Sequence, residues 1–267
     1  MDAFRERYGR WALVAGASEG LGAEFCHELA ARGLSVALVA RRPEPLARLA
    51  RELERAHGVE TRALAFDLAR AEDLAELERV TAELDVGLLV ANAASSPVGE
   101  FLEHSLGEHR AMLDLNCRAA LVMTHVFAER LVARGRGGLI LMSSLAGLQG
   151  TALTAHYSAS KAYLRVLAEG LWAELRPRGV DVVACVAGPT DTPTWRAGHP
   201  KQVGRWKLPR VQSASEVVAA TLRGLGRVPV VTPGLGNSVI HFLLRRMLPT
   251  SVAVRLVSRT TRKMYGR

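Results

Sequence analysis

Short apolar runs alternate along this chain with longer segments in which apolar residues recur at helical spacing. The short runs lack clean period-two alternation, which is typical of strands buried on both faces of a sheet. They predict strands over Trp11–Ala15, Ser35–Ala40, Thr61–Phe66, Gly87–Ala91, Gly138–Met142, Asp181–Val186 and Pro229–Thr232. The segments between them predict helices over Gly22–Arg32, Pro45–His57, Ala71–Leu84, Leu106–Arg134, Tyr157–Arg176 and Ala214–Gly224. The expected fold class is therefore α/β: a doubly wound, mostly parallel sheet of about seven strands with helices on both faces.

The pattern predicts one domain, residues 1–235, and a C-terminal extension, residues 236–267, with no long linker or internal repeat. An irregular stretch at about 190–212 is too long for a routine connection and is expected to be a substrate lid. Its tryptophans either face an apolar ligand or anchor the loop, and its cations either meet an anionic group such as CoA phosphates or are solvated. These side chains are Trp195, Arg196, Lys201, Arg205, Trp206 and Lys207.

Composition narrows the class of protein. With 49% hydrophobic and 23% charged residues over 267 positions, the chain can bury a core and is not disordered. Its three cysteines, Cys26, Cys117 and Cys185, are far apart and indicate buried thiols in a reducing compartment. The opening residues lack the apolar core of a secretory signal, and no run is apolar enough to cross a bilayer. A cytoplasmic location follows as an expectation, with membrane-surface association left open.

The positive charge is concentrated at the C-terminal end. The formal net charge is +9, and no acidic residue follows Glu216, whereas nine basic residues do. Beyond Gly234, apolar residues interrupted by basic ones predict short amphipathic helices with a break at Pro249. Such a segment can lie on an anionic membrane surface, cover a substrate pocket or pack on another subunit. Nucleic acid is not an expected partner, because aromatic interleaving and recognition modules are absent.

A glycine-rich turn joins the first predicted strand to the next helix, in the sequence Gly16-Ala17-Ser18-Glu19-Gly20-Leu21-Gly22. Glycines there let the backbone approach a pyrophosphate, and the helix N-terminus adds N–H donors and a positive dipole. The second strand ends in Ala40-Arg41-Arg42, without the carboxylate that binds the ribose 2′-hydroxyl of NAD. Guanidinium groups suit a 2′-phosphate, so the pattern favours NADP(H) over NAD(H).

A tyrosine and a lysine four residues apart open the fifth predicted helix, at Tyr157 and Lys161. A nearby ammonium favours the phenolate and lowers the pKa of a phenol, which can then exchange a proton with a carbonyl or alcohol oxygen. Ser144 lies just past the preceding predicted strand, at the carboxyl end, where side chains point into the ligand crevice of such sheets. Its hydroxyl can hydrogen-bond the reacting oxygen.

In order and spacing, this set resembles the short-chain dehydrogenase/reductase family, a single-domain Rossmann type. The match rests on Gly16–Gly22, Asn92-Ala93, Asn116, Ser144 and Tyr157 with Lys161, and it covers about residues 10–235. The opening segment and the basic C-terminal segment look most similar to the NADPH-linked long-chain 3-oxoacyl-CoA and hydroxysteroid reductases.

The resemblance implies a role for each matching residue. Tyr157 would be the general acid, Lys161 would lower the pKa of that tyrosine and hold the nicotinamide ribose, Ser144 would orient the substrate oxygen, and Asn116 would support a water chain behind Lys161. The implied cofactor-binding residues are Gly16, Ser18, Gly20, Leu21, Gly22, Arg41, Arg42, Asp67, Leu68, Asn92, Ala93, Tyr157, Lys161, Gly188, Thr190 and Thr192. No metal site is expected.

The implied activity is hydride transfer between NADP(H) and a hydrophobic ketone or secondary alcohol, such as a 3-oxoacyl thioester or a steroid. Homodimers or homotetramers are the family expectation. The sequence departs from the family pattern at Ala15, at Ala91-Asn92-Ala93-Ala94 and at Ala187. Those alanines keep open a non-catalytic dinucleotide-binding scaffold or regulator. A second alternative is an enzyme of the same family for a different, small ketone.

Overall fold

Residues 3–197 and 210–266 are described by a computed structural model. Seven strands form one parallel sheet in the order β3-β2-β1-β4-β5-β6-β7. The strands are β1 (Trp11–Ala15), β2 (Ser35–Ala40), β3 (Thr61–Ala65), β4 (Val86–Ala91), β5 (Gly137–Ser144), β6 (Val180–Ala187) and β7 (Val230–Val231). The strand order reverses between β1 and β4, which is where such sheets open a ligand crevice at their carboxyl ends.

Helices cover both faces of the sheet. They are α1 (Ala3–Tyr8), α2 (Gly20–Ala31), α3 (Pro43–His57), α4 (Ala71–Val80), α5 (Leu106–Leu113), α6 (Ala119–Arg134), α7 (Ala155–Leu175), α8 (Pro193–Ala197), α9 (Ala214–Gly224), α10 (Leu235–Phe242) and α11 (Thr250–Met264). Alternate residues of β2 point into opposite cores: Val36 and Leu38 pack with α2, α3 and α9, whereas Ala37 and Val39 belong to the core built with α4, α6 and α7. The predicted fold class is confirmed.

Two predicted helices differ from those observed. The segment Leu106–Arg134 is divided by a π-helical turn, Asp114–Arg118, between α5 and α6. The helix predicted over Ala71–Leu84 ends at Val80, because the Thr81 hydroxyl donates to the Leu77 carbonyl at 2.7 Å and closes the last turn. The short helix α1 was not predicted from the hydrophobic pattern. All three cysteines are buried and unpaired, as predicted.

The C-terminal segment folds as predicted, with a break at Pro249. Helix α10 continues through a π-helical turn, Leu243–Met247, and α11 starts directly after the proline. Proline suits the residue before a helix because it has no N–H to leave unpaired. Among the helices of residues 3–197 and 210–266, none has both the length and the apolar character needed to cross a bilayer.

Candidate active site

A cavity of about 790 Å³ opens at the carboxyl ends of the central strands. Its floor comes from the ends of β5 and β6, one side from the glycine turn and the loop after β4, and the opposite side from α10 and α11. A volume of this size is typical of small-molecule and cofactor sites. The predicted residues Leu21, Asn92, Ser144, Tyr157, Lys161, Gly188, Thr190 and Thr192 all line it.

The glycine turn is shaped by close backbone packing. Gly16 and Gly20 adopt left-handed conformations, with φ of +74° and +59°. A Cβ on Gly22 would lie 1.9 Å from the Gly16 carbonyl oxygen, so only glycine fits there. The Asn92 amide donates to that same oxygen at 3.2 Å, tying the turn to the end of β4. No side chain caps the first turn of α2, so its N–H groups are available to a pyrophosphate.

The two arginines after β2 have different surroundings. Arg42 donates to the Glu19 carboxylate at 2.5 Å and is partly neutralised by it. Arg41 is exposed, and within the described residues its side chain has no hydrogen bond or ion pair. Ser18 lies in the glycine turn and is half-buried. The cation available to a 2′-phosphate is therefore Arg41 more than Arg42.

Asp67 and Leu68 follow β3 at the expected adenine end. The Asp67 carboxylate accepts the Ala69 N–H at 3.1 Å, and Asp73 accepts the Asp67 N–H at 2.7 Å. These bonds order the turn before α4, and Leu68 is 2% exposed beneath it. The residues thus serve the turn, and contact with an adenine stays a prediction.

Ser144 and Tyr157 meet at the centre of the cavity. Ser144 is the last residue of β5, and its hydroxyl accepts the Ala146 N–H at 3.2 Å. Tyr157 lies in the first turn of α7. Burial raises the pKa of the Tyr157 hydroxyl, and a hydrogen bond with Ser144 acts in the opposite direction. The nearby Tyr265, from the end of the chain, raises that pKa further.

Lys161 is buried one helical turn beyond Tyr157. Its ammonium donates to the Met142 carbonyl at 2.8 Å and lies 5.8 Å from the centre of the Tyr157 ring. Burial lowers the pKa of this lysine to about 8. The expected lowering of the tyrosine pKa by Lys161 is absent in this structure, because the amine is directed at a backbone carbonyl and burial outweighs other effects on the phenol.

Asn116 lies in the π-helical turn and is fully buried. Its amide oxygen accepts the Ser95 N–H at 2.8 Å, and its amide nitrogen donates to the Ser95 carbonyl at 2.9 Å and to the Ser160 hydroxyl at 3.1 Å. The residue therefore joins the loop after β4 to α7, beside Lys161. π-turns occur often at functional sites. A water chain at this position stays a prediction.

The loop after β6 forms the expected nicotinamide end, and an unpredicted residue supports it. Asn237 of α10 is buried and donates to the Gln212 side chain at 2.8 Å and to the Pro233 carbonyl at 2.9 Å. Its amide nitrogen would lie 2.4 Å from a Cβ on Gly188, so this packing requires glycine. The Thr190 hydroxyl donates to the Gly188 carbonyl at 2.9 Å. No sequence motif pointed to Asn237 or Gln212.

The C-terminal helices form a wall of the cavity, one of the three placements left open by the sequence. Ile240, Leu244 and Met264 line it, and Tyr265 closes the wall near Tyr157. Polar contacts attach α11 to the loop before α7. The Ser258 hydroxyl accepts the Ala152 N–H at 3.1 Å, and further contacts join Thr151 to Ser258 and Thr261.

The lid is described only in part. Thr192 accepts the Trp195 N–H at 3.2 Å, and both residues line the cavity. Arg196 is bonded to both carboxylate oxygens of Asp191, at 2.6 and 2.8 Å, so its charge is already matched. The pairing with Asp191 therefore takes the place of the expected contact between Arg196 and an anionic group. Lys201, Arg205, Trp206 and Lys207 lie outside the described residues.

Comparison with known proteins gives consistent matches. The short chain dehydrogenase family profile matches residues 10–202. The 7beta-hydroxysteroid dehydrogenase of Clostridium sardiniense is 36% identical over 197 residues, covering 74% of this chain and 76% of that protein. The very-long-chain 3-oxoacyl-CoA reductase of Podospora anserina is 42% identical over 180 residues, covering 65% of this chain. That match spans 53% of the fungal protein, about half its length.

Solved structures agree in fold over most of the chain. A 7beta-hydroxysteroid dehydrogenase superposes with a TM-score of 0.88 at 29% identity, covering 94% of this chain and 98% of the other. A short-chain dehydrogenase from Sphingobium yanoikuyae, in complex with NADPH, gives a TM-score of 0.78 at 33% identity, covering 86% and 89%. This chain therefore belongs to the short-chain dehydrogenase family, oxidoreductases that bind a nicotinamide dinucleotide and act on CH–OH groups.

Proposed function

We propose that this protein transfers a hydride between NADP(H) and a bulky hydrophobic ketone or secondary alcohol. One observation carries the proposal: the hydroxyls of Ser144 and Tyr157 lie in a single cavity, between a glycine turn and an apolar wall. This places a proton donor between the expected positions of cofactor and substrate.

The chemistry divides between the cofactor and the protein. A bound nicotinamide supplies or accepts the hydride at the carbon of the reacting group. In reduction, Tyr157 donates its hydroxyl proton to the carbonyl oxygen, which Ser144 holds by a second hydrogen bond. Lys161 is protonated below about pH 8. Its ammonium can exchange the Met142 carbonyl for the ribose hydroxyls and then hold the cofactor in register with Tyr157.

The pKa shift of Tyr157 favours reduction at neutral pH. Burial raises the pKa of its hydroxyl, so the free protein holds the proton that reduction must deliver. Oxidation of an alcohol requires the deprotonated phenol and is expected to need a higher pH.

Preference for NADP(H) is supported by charge. Arg41 is exposed, and its side chain is unpaired within the described part of the chain. A 2′-phosphate would supply the counter-ion that the structure does not give to Arg41.

The cavity wall supports a bulky apolar substrate. The space beyond Tyr157 is lined by apolar side chains, namely Ile240, Leu244, Leu248, Val257 and Met264. The polar groups beside them are hydroxyls. Because Arg196 is paired with Asp191, it offers no free charge to an anionic substrate group on the described part of the lid. Relatives named for hydroxysteroids and for very-long-chain 3-oxoacyl-CoA point to the same class.

The test is steady-state oxidation of NADPH and NADH over a panel of ketones. The panel pairs a bulky ketosteroid and a long-chain 3-oxoacyl thioester with acetone and cyclohexanone as small controls. We expect a saturable rate with a bulky ketone, faster with NADPH and low with the small ketones. A dinucleotide-binding scaffold would bind NADPH and give no rate with any ketone. Equal rates with small and bulky ketones would instead favour a small-ketone enzyme.

A further inference from the structure

The outward side of α10 carries an exposed apolar strip. Leu235, Val239, Phe242 and Met247 are 89%, 56%, 58% and 62% exposed. Their spacing follows the helix and the π-helical turn after it, so they lie along one side. None of the four lines the cavity. Exposed apolar residues arranged in this way mark a contact surface.

The inward side of the same helix faces the cavity. Ile240 and Leu244 line it, one residue away from Val239 and Leu243. Leu243 and Leu256 line the cavity and are also exposed to solvent, by 42% and 54%. These two leucines therefore mark a rim where the apolar strip and the apolar cavity meet.

The charged residues of this C-terminal segment are all basic. No acidic residue follows Glu216. Arg245 and Arg262 are paired with Glu169 and Glu100. The remaining basic side chains of this segment have no hydrogen bond or ion pair within the described residues, and they are Arg246, Arg255, Arg259 and Lys263.

We propose that this strip, Leu235, Val239, Phe242 and Met247, docks the protein on an anionic lipid bilayer. The apolar side chains enter the headgroup boundary, and the unpaired cations meet lipid phosphates. Because the rim at Leu243 and Leu256 joins the strip to the cavity, an amphiphilic ketone passes from the bilayer to Tyr157 without crossing water. This route rests on the proposed function, whereas the docking does not.

Charge complementarity selects the bilayer over a second copy of the chain. A two-fold symmetric contact brings the same patch of each subunit together. Pairing two such strips would place Arg246 and its basic neighbours against their own copies, with no acidic residue of the segment to balance them. An anionic surface provides that balance.

Vesicle co-sedimentation of the full chain tests the docking. Vesicles of phosphatidylcholine alone are compared with equal mixtures of phosphatidylcholine and phosphatidylglycerol. We expect binding to the anionic vesicles only, weakened by added salt. Arg246→Gln with Lys263→Gln should weaken binding about 25-fold, about fivefold for each charge. Arg223→Gln with Arg227→Gln removes equal charge before β7, at the end of the sheet where the strands begin. This control should leave binding unchanged.

The apolar contribution is tested by Phe242→Ser with Met247→Ser, which should weaken vesicle binding at least about tenfold. Turnover of a water-soluble ketone serves as the separate readout of the proposed function and should be unchanged in this variant. Equal binding to neutral and anionic vesicles, or no binding, would overturn the docking. So would a wild-type dimer that this variant converts to a monomer by light scattering while vesicles stay unbound.

Discussion

The proton of Tyr157 is controlled by burial and by its neighbours. Burial and the nearby Tyr265 raise the pKa of the hydroxyl, whereas its bond with Ser144 lowers it. Lys161 is directed at the Met142 carbonyl and loses its own charge above about pH 8. The proposed proton donor is thus a protonated phenol, one helical turn from a cation that titrates within the pH range of an ordinary assay.

The pH dependence of the reaction follows from these pKa shifts. We expect kcat/KM for NADPH in ketone reduction to be flat through neutral pH and to fall above about pH 8, as Lys161 loses its proton. Alcohol oxidation should speed up with rising pH, because it requires the deprotonated phenol. Initial rates in both directions between pH 6 and pH 10 check this. A reduction rate that climbs through the alkaline range would contradict it.

We propose that cofactor choice depends on Arg41 and not on the adjacent Arg42. Arg41→Gln should raise KM for NADPH about tenfold or more and leave KM for NADH unchanged, since a charged hydrogen bond to phosphate contributes about 1.5–3 kcal/mol. Arg42→Gln is the matched control, and its effect should be smaller because Arg42 is already paired with Glu19. Equal effects of the two substitutions, or an equal rise for NADH, would refute the assignment.

At the scale of elements, the π-helical turn between α5 and α6 holds a buried amide. Asn116 satisfies both backbone groups of Ser95 and the hydroxyl of Ser160. Through these bonds the loop beside the glycine turn and the helix that carries Tyr157 keep a fixed relation. The turn connects the loop after β4 to the helix that carries Tyr157.

Removing that amide should loosen both elements. Asn116→Ala removes the three hydrogen bonds of a buried amide and should cost about 1–3 kcal/mol in the free energy of unfolding, with a lower kcat. Asn116→Asp keeps the acceptor for the Ser95 N–H and should recover part of both. Urea unfolding and steady-state rates measure the two effects. Unchanged unfolding and kcat in Asn116→Ala would show that the bonds carry neither stability nor positioning.

Prediction from sequence succeeded where a motif is local and the sheet brings its parts together. The glycine turn, Ser144 and the pair Tyr157 and Lys161 each sit at a strand end or helix start, and parallel strands place those ends at one edge. The pairings of Arg42 with Glu19 and of Arg196 with Asp191 were missed, because periodicity does not reveal which charges meet.

The contribution of the C-terminal helices was also beyond sequence patterns. The sequence showed that these helices are amphipathic, but it was compatible with three different placements. Contacts between residues more than 100 positions apart, such as Ala152 with Ser258, decide that one side faces the cavity. Asn237 and Tyr265 reach the site only through that docking, and no motif announces either residue.

At the scale of the whole molecule, a buried contact ties the start of the chain to β6. Arg7 donates twice to the Asp181 carboxylate, at 2.9 Å each, and the Tyr8 hydroxyl donates to it at 3.0 Å. Burial and the adjacent Asp181 raise the pKa of Tyr8. This contact closes the sheet edge opposite the cavity, where the strands begin.

The Tyr8 shift makes stability fall at alkaline pH. Because the folded-state pKa is raised, its contribution is fully present below the unfolded pKa of about 10 and is lost as pH rises beyond it, at about 1.4 kcal/mol per pH unit. Urea unfolding at a series of pH values from 8 to 11 measures the slope. Tyr8→Phe, which cannot ionise, should be less stable at pH 8 and show a shallower fall above pH 10. Parallel curves would exclude Tyr8 as the cause.

The proposed function depends on one phenol, Tyr157, lying between a nicotinamide and a ketone. The most direct test is single-turnover reduction of a bulky ketone by NADPH in wild type and Tyr157→Phe, with Tyr163→Phe of the same helix as control and cofactor affinity followed by NADPH fluorescence. The expected result is a rate about 10²–10⁴-fold lower in Tyr157→Phe alone, with unchanged cofactor affinity. A near-normal rate in that variant would contradict the account.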